Sequence, residues 1–326
     1  MNEVNVVNED FTSLRQMHAV LVRHFVEGRK QAEIAEEMNL STSKVNRIIA
    51  QARRSGMVKI SIETPFQRLM DLERRLSTTG LVNAAIVSPT VSDNDGTRLA
   101  QIGQAAAAHL AETLRDGDIL GISGGKAVAA VVDALSVERP IDVQVVPLTG
   151  GVQGMYHTDV NHLASRMAER LGGRSLQLHA PLFAERPDQR EMLMNLGAVK
   201  EVLDLARRAT ACLVGIGSIT MPGSSYFDLH PLSVPDRTML PGLGVMAEFL
   251  GHLVHDRGQV ANFALNQRLI ALRPDEIRRC NGVVAVAAGH DKVGPIRSVL
   301  RGGYVSVLVT DEETATTILQ DDGDTA

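Results

Sequence analysis

The sequence predicts an α/β protein. From residue 84 onward, seven short apolar runs alternate with amphipathic helical patterns, and four of those runs end in glycine-rich turns. Near-continuous apolar strands separated by helices imply a parallel sheet covered on both faces. Ahead of this region lies a basic segment of short helical patterns, which predicts a separate module.

In chain order, Leu14 to Val26 reads as a first helix. Ile34, Ala35 and Met38 then share one face of a second helix, and Val45, Ile48 and Ile49 one face of a third, so both faces can share a small core. Ala35 stands where these two helices would cross. Asn39 takes the turn between them, because asparagine tolerates the left-handed backbone. Ser41 is a suitable N-cap. Thr42, Ser43, Lys44, Asn46 and Arg47 are left outside, short, polar or cationic groups suited to base edges and phosphates, with Arg53 and Arg54 beyond them. Gly56 ends the helix, and Val58, Ile60 and Ile62 alternate with Lys59, Ser61 and Glu63 as in a half-exposed strand. Residues 1–63 thus read as a winged helix-turn-helix DNA-binding domain, with Ser41, Thr42, Ser43, Lys44, Asn46, Arg47, Arg53 and Arg54 as its DNA-binding residues.

Thr64-Pro65 breaks the wing strand, and Gln67 to Leu76 follows as a connecting helix within a linker of residues 64–80. Its stripe of Leu69, Leu72 and Leu76 is either a dimer seam or a face packed on its own domain. Residues 81–326 form the α/β part. Its strands are expected at Ala84 to Val87, Ile119 to Ile122, Val143 to Pro147, Ser175 to Leu178, Ala211 to Ile216, Val283 to Ala288 and Val305 to Thr310. Helices are expected at Thr97 to Leu114, Ala127 to Leu135, Val160 to Leu171, Met192 to Arg208, Gly244 to His255 and Val293 to Arg301.

Ligands of such sheets sit at the carboxyl ends of the strands. The loops there are Gly121-Ile122-Ser123-Gly124-Gly125-Lys126, Leu148-Thr149-Gly150-Gly151, Gly215-Ile216-Gly217-Ser218 and Gly289-His290-Asp291-Lys292. The first is not a Walker A loop, since Leu120 stands where the first glycine belongs and Ala127 where the magnesium-binding hydroxyl belongs. A lone glycine turn usually means a tight bend. Four after parallel strands, two with a lysine, point to a small anionic ligand such as a sugar phosphate.

The charge distribution separates the two parts. Residues 14–62 carry nine Lys/Arg against four acids, whereas residues 63–326 carry 24 against 31, so positive charge is concentrated where the helix-turn-helix lies. The two cysteines, Cys212 and Cys280, sit in or beside apolar runs and read as buried free thiols, which excludes a disulfide framework. No basic stretch followed by an apolar core opens the chain, and no uncharged apolar run reaches about 18 residues, so a cytoplasmic protein without membrane contact is expected.

The chain resembles the SorC-type family of sugar-responsive bacterial transcriptional regulators over nearly its full length. The likeness rests on QAEIAEEMNLSTSKVNRIIAQARRSGMVKISI, GDILGISGGKAVAAVVDAL, VVPLTGGVQG, LVGIGS, GVMAEFLGHLVHDRGQ and VVAVAAGHDKVGPIRSVLRGGYVSVLVTDEETA, in that order. It implies an effector domain similar to sugar-phosphate isomerases and deaminases that serves as a sensor. It places a phosphate near Gly125, Lys126, Thr149, Gly150, Gly151 and Lys292, with Glu248 accepting bonds from sugar hydroxyls. Ser123, Gly124 and Gly217 complete the expected effector-binding set. The family often has Ser-Trp-Gly-Thr where this chain has Ser123-Gly124-Gly125-Lys126, and glycine where Ala247 stands. The extra lysine fits stronger anion binding, and the lost aromatic fits a differently shaped ligand such as a polyol or its phosphate.

The leading expectation is a regulator of a carbohydrate or polyol catabolism operon. Its partners would be a double-stranded DNA operator and a sugar or polyol phosphate effector. A homodimer or homotetramer would bind half-sites about one helical turn or a multiple apart. No cofactor is expected. Glu248, His252 and His255 fall at i, i+4 and i+7 of the expected helix, a spacing open to a metal but more simply a half-buried face, and Asp256-Arg257 reads as its solvated terminus. The competing expectation is a sugar-phosphate isomerase or deaminase-like enzyme with Glu248 or Asp228 as general base, although the glycine loops offer binding more clearly than a positioned acid and base.

Overall fold

The computed structural model describes residues 13–58, 66–153, 156–220, 238–280 and 282–321, and the chain divides into two compact units at Pro65/Phe66. In the first unit, a helix over residues 13–21 (α1) runs into a π-turn at Val22–Val26, followed by α2 (Gln31–Glu37) and α3 (Thr42–Arg54). Ile34, Ala35, Val45, Ile48, Ile49 and Ala52 are buried together with Met17 and Val20. The turn is made as its chemistry requires. Asn39 adopts a φ of 55°, the Ser41 hydroxyl accepts the Lys44 N–H at 3.2 Å, and Gly56 leaves the helix at φ 73°. Val58 packs against this core, whereas the expected wing, Lys59 to Glu63, and the Thr64-Pro65 break lie outside the described residues.

The second unit opens with α4 (Gln67–Thr78) and continues through β1 (Ala84–Ser88), α5 (Asp95–Thr113), β2 (Ile119–Ile122), α6 (Lys126–Ala134), β3 (Gln144–Pro147), α7 (Val160–Leu171), β4 (Arg174–Ser175), α8 (Pro187–Asn195), α9 (Gly197–Ala206) and β5 (Ala211–Gly215). There follow β6 (Gly217–Ser218), β7 (Val245–Phe249), β8 (His252–His255), the one-turn α10 (Pro274–Ile277), β9 (Gly282–Val286), α11 (Val293–Arg301), β10 (Val307–Asp311) and α12 (Glu312–Asp321). Seven strands form one parallel sheet in the order β1-β10-β9-β5-β2-β3-β4. Successive residues feed opposite cores. Val145 and Leu213 join Ile102, Leu110, Val131 and Leu163 of α5 to α7, while Val146 and Val214 join Leu72, Leu76, Val202, Ile296 and Ile318 on the other face. A strand buried on both sides has no polar face to show, which is why these segments read as unbroken apolar runs. Leu72 and Leu76 of α4 are thus packed on their own unit.

The strand expected at Ser175 to Leu178 is only the two-residue β4, and two expected helices fail. The segment Gly244 to His255 is not a helix but the antiparallel hairpin β7–β8, which with β6 forms a three-stranded sheet. Val245, Ala247 and Phe249 are buried, Met246 is exposed and Glu248 half-buried, the period of a strand. Leu250 (φ 51°) and Gly251 (φ 77°) make the two-residue turn, with both central residues in the left-handed region that a hairpin turn of type I′ demands. The expected helix Met192 to Arg208 is two helices, because Leu196 is extended (φ −64°, ψ 127°) and caps α9.

Candidate functional site

The carboxyl ends of β2, β3, β5 and β9 surround a cavity of about 390 Å³ in the second unit. Gly125 (φ 118°, ψ 162°) and Gly289 (φ 114°, ψ 148°) adopt the same conformation, one essentially reserved for glycine, and each precedes a lysine-bearing helical start. The two turns aim the N-termini of α6 and the segment leading into α11 at the cavity, where backbone N–H groups without intrahelical partners favour negative charge.

Lys126 and Lys292 both line this space. Lys292 Nζ donates to the Ile216 carbonyl at 2.9 Å. Burial lowers its pKa, Glu248 opposes the shift, and the positive field of Lys126 adds to it. Two lysines on one cavity wall, with the Glu248 and Asp291 carboxylates near Lys292, can hold an anion that also offers hydroxyl groups. Glu248, on β7, lies beside them. Burial raises its pKa, while the Gly251 N–H, which donates to its Oε1, and Lys292 pull the other way. Its Oε2 occupies the space a side chain at position 217 would need, so Gly217 is what lets the carboxylate lie against β6.

Of the sequence-derived effector residues, Ser123, Gly124, Gly125, Lys126, Thr149, Gly150, Gly217, Glu248 and Lys292 line the cavity, and Gly151 does not. The Gly151 N–H donates instead to the Ala180 carbonyl at 2.9 Å. The Ser123 hydroxyl is occupied in tying loops together, donating to the Gly124 carbonyl at 3.1 Å and accepting the Gly215 N–H at 3.2 Å. Sequence reasoning missed Arg98 of α5 and Asp159, which both line the cavity. Asp159 carried a signal, since it caps α7 by accepting the Asn161 and His162 N–H groups, and it also holds Val152 N–H at 2.9 Å. With β7–β8 a hairpin, Glu248, His252 and His255 share no helical face. His252 is buried, with Nδ1 3.2 Å from the Leu250 carbonyl oxygen, and Asp256-Arg257 is the turn after β8. Asp228 lies outside the described residues. Both cysteines are free and buried.

In the first unit, Ser41, Thr42, Ser43, Asn46, Arg47, Arg53 and Arg54 are exposed and Lys44 is half-buried. Ser41 is engaged as the N-cap, and its hydroxyl lies 3.1 Å from that of Ser43. The Arg53 guanidinium lies over Phe25, 5.6 Å from the ring centroid.

Comparison with known proteins decides what these two units are. Residues 64–320 match the family described as "Putative sugar-binding domain", and residues 15–55 match sigma-70 region 4. The chain is 30% identical to the erythritol catabolism regulatory protein EryD of Brucella abortus over 298 residues, covering 91% of this chain and 93% of that protein. It belongs to the SorC family of sugar-binding transcriptional regulators. A second relative, the transcriptional regulator LsrR of Escherichia coli, is 28% identical over 324 residues, 98% of this chain and 99% of its own. The full-length sorbitol operon regulator SorC from Klebsiella pneumoniae shares the fold, with a TM-score of 0.74 at 24% identity over 94% of this chain and 98% of that one. As in that family, a DNA-binding helix-turn-helix precedes a sugar-binding α/β domain. Among the described residues, no helix is long and apolar enough to cross a membrane.

Proposed function

We propose that this regulator controls an operon for carbohydrate or polyol catabolism by binding a phosphorylated sugar or polyol in the cavity of the second unit. The observation that carries this reading is the convergence of Lys126 and Lys292 beside two glycine turns, with the Glu248 carboxylate adjacent to accept hydroxyl protons. The lysines take the phosphate and Glu248 the hydroxyls. The erythritol in the name of the relative at 30% identity supports a polyol. The cavity acts as a sensor rather than a catalyst: Glu248 accepts the Gly251 N–H of its own hairpin and Lys292 donates to the Ile216 carbonyl of the loop after β5, so both are engaged with backbone groups. We read residues 1–63 as the DNA-binding domain, 64–80 as linker and 81–326 as the effector and oligomerisation domain of a cytoplasmic homodimer or homotetramer.

On DNA, Thr42, Ser43, Asn46 and Arg47 face base edges, while Lys44, Arg53 and Arg54 contact phosphates, with Ser41 setting the start of the recognition helix. The ligand alters DNA affinity by favouring one arrangement of the protein over another. Arg47→Ala tests both halves at once. Gel-shift against a duplex selected from a random pool should show loss of sequence discrimination, while calorimetry with erythritol 4-phosphate and sorbitol 6-phosphate should show effector binding retained. Unchanged discrimination overturns the DNA assignment, and silence of every sugar and polyol phosphate overturns the effector assignment.

A further inference from the structure

Gly124 and Gly151, on the loops after β2 and β3, have no positive φ, so backbone conformation does not explain why either is glycine. Space does. A Cβ built on Gly124 would stand 2.8 Å from the Thr158 carbonyl oxygen, and one on Gly151 would stand 2.9 Å from Oδ2 of Asp159. Both glycines make way for the same two residues, which lead into α7. The segment is also bonded to both loops, since the Thr158 carbonyl accepts the Gly125 N–H at 3.0 Å and Asp159 Oδ2 accepts the Val152 N–H at 2.9 Å. Thr158, Asp159 and Val160 line the cavity. A short stretch of chain is therefore wedged between two glycine loops as part of the cavity wall.

The loops themselves are anchored to other parts of the unit. In the β2 loop, the Ser123 N–H donates to the Leu213 carbonyl at 3.1 Å and the Ser123 hydroxyl accepts the Gly215 N–H at 3.2 Å. In the β3 loop, the Gly150 N–H donates to the Ile270 carbonyl at 2.7 Å and the Gly151 N–H to the Ala180 carbonyl at 2.9 Å. A methyl group at position 124 or 151 would thus meet an anchored loop behind it and the Thr158–Asp159 segment in front. Neither approach is one a methyl carbon tolerates, so the segment gives way. Its retreat from Gly124 opens the wall between the β2 loop and the start of α7.

We propose that Gly124 and Gly151 are specificity-determining residues: they seat the Thr158–Asp159 segment, and the segment, held close, limits the length of the effector that the cavity accepts. This rests on reading the cavity as the site of a phosphorylated sugar or polyol. It adds a determinant of ligand size, and it gives Gly151, which does not line the cavity, a part in selectivity through Asp159.

Calorimetry on the full-length protein with erythritol 4-phosphate and sorbitol 6-phosphate tests it, in the wild type, Gly124→Ala and Gly151→Ala. The quantity read is the ratio of the two affinities, which partial unfolding leaves unchanged because both ligands meet the same folded fraction. In Gly124→Ala the ratio should move about tenfold toward sorbitol 6-phosphate, the scale on which a pocket distinguishes one carbon unit. In Gly151→Ala it should move the same way, although that methyl group adds no bulk to the cavity wall. Asp159→Ser keeps an N-cap hydroxyl for α7 but is too short to hold the Val152 N–H as well. It should shift the ratio likewise, and it keeps the question answerable if an alanine variant fails to fold. A ratio unmoved in Gly151→Ala or Asp159→Ser, or moved toward erythritol 4-phosphate in any variant, overturns the role of the segment and leaves the cavity reading intact. Failure of both ligands to bind the wild type overturns the cavity reading, and this inference with it.

Discussion

Lys292 Nζ donates to the Ile216 carbonyl at 2.9 Å, which moors a lysine from the β9 loop to the loop that follows β5. The ammonium is thereby set in place before any ligand arrives, and the entropy of fixing a long side chain does not fall on the binding step. Burial lowers its pKa, so its charge is held with a smaller margin than that of a surface lysine.

Lys292→Met should separate stability from binding. Methionine fills similar volume without the desolvation cost of a buried cation, so thermal stability should hold within about 1 kcal/mol. Affinity for a phosphorylated polyol should fall by about tenfold to a hundredfold, the worth of a hydrogen bond to a charged group. Thermal melting and calorimetry on the same preparation check this, and a variant that binds normally contradicts it. In the wild type, anion binding should weaken on the alkaline side earlier than an ordinary lysine would dictate.

His252 should make stability fall in mild acid. It is buried, and burial lowers its pKa to about 4 from the usual 6.5, with Arg273 and Arg190 adding to the effect against the Leu250 carbonyl. Above pH 6.5 the ring is neutral in both folded and unfolded chains and contributes nothing to the pH dependence. Between 6.5 and about 4 the unfolded chain takes up a proton that the folded chain refuses, so stability is lost as pH falls, by up to about 3 kcal/mol. Denaturant unfolding at pH 7 and 4.5 should show the loss in the wild type and a smaller one in His252→Gln. Equal slopes would be the contrary result.

Gly125→Ala and Gly289→Ala force a Cβ into a backbone conformation that L-residues avoid, and each should destabilise the second unit by about 1–3 kcal/mol. No atom lies within 4 Å of a Cβ built at Gly125, so steric collision plays no part there. A measured cost near zero at position 125 would show that the turn can relax.

Ala35→Leu tests the first unit separately. Ala35 is 5% exposed between α2 and α3, and an isobutyl group there overpacks the helix pair by about 1–3 kcal/mol. DNA binding should collapse in gel-shift while effector binding is retained. A variant with normal DNA affinity would mean that the α2–α3 crossing tolerates widening.

What the sequence disclosed follows from how local each signal is. Asn39, Ser41 and Gly56 do their work within a few residues of themselves, so the helix-turn-helix was legible down to its caps. Strands buried on both faces announced themselves as apolar runs, and β2, α7 and α11 have the expected bounds. The β7–β8 hairpin was misread because helical and strand periods overlap over a short apolar stretch, and the deciding residue, Leu250 with φ 51°, is of a type seldom found there. Arg98 was invisible for a different reason. Its partners Asp311 and Glu313 are more than two hundred positions away, and only the parallel order of β1, β10 and β9 brings them together.

The loops after β2, β3, β5 and β9 each bring glycines to the cavity wall. Retuning such a regulator falls to the side chains that line the space, among them Leu182 from the segment before α8 and Leu250 from the hairpin tip. Libraries aimed at turning this scaffold into a biosensor for another polyol belong at those leucines, with the glycine turns left as they are.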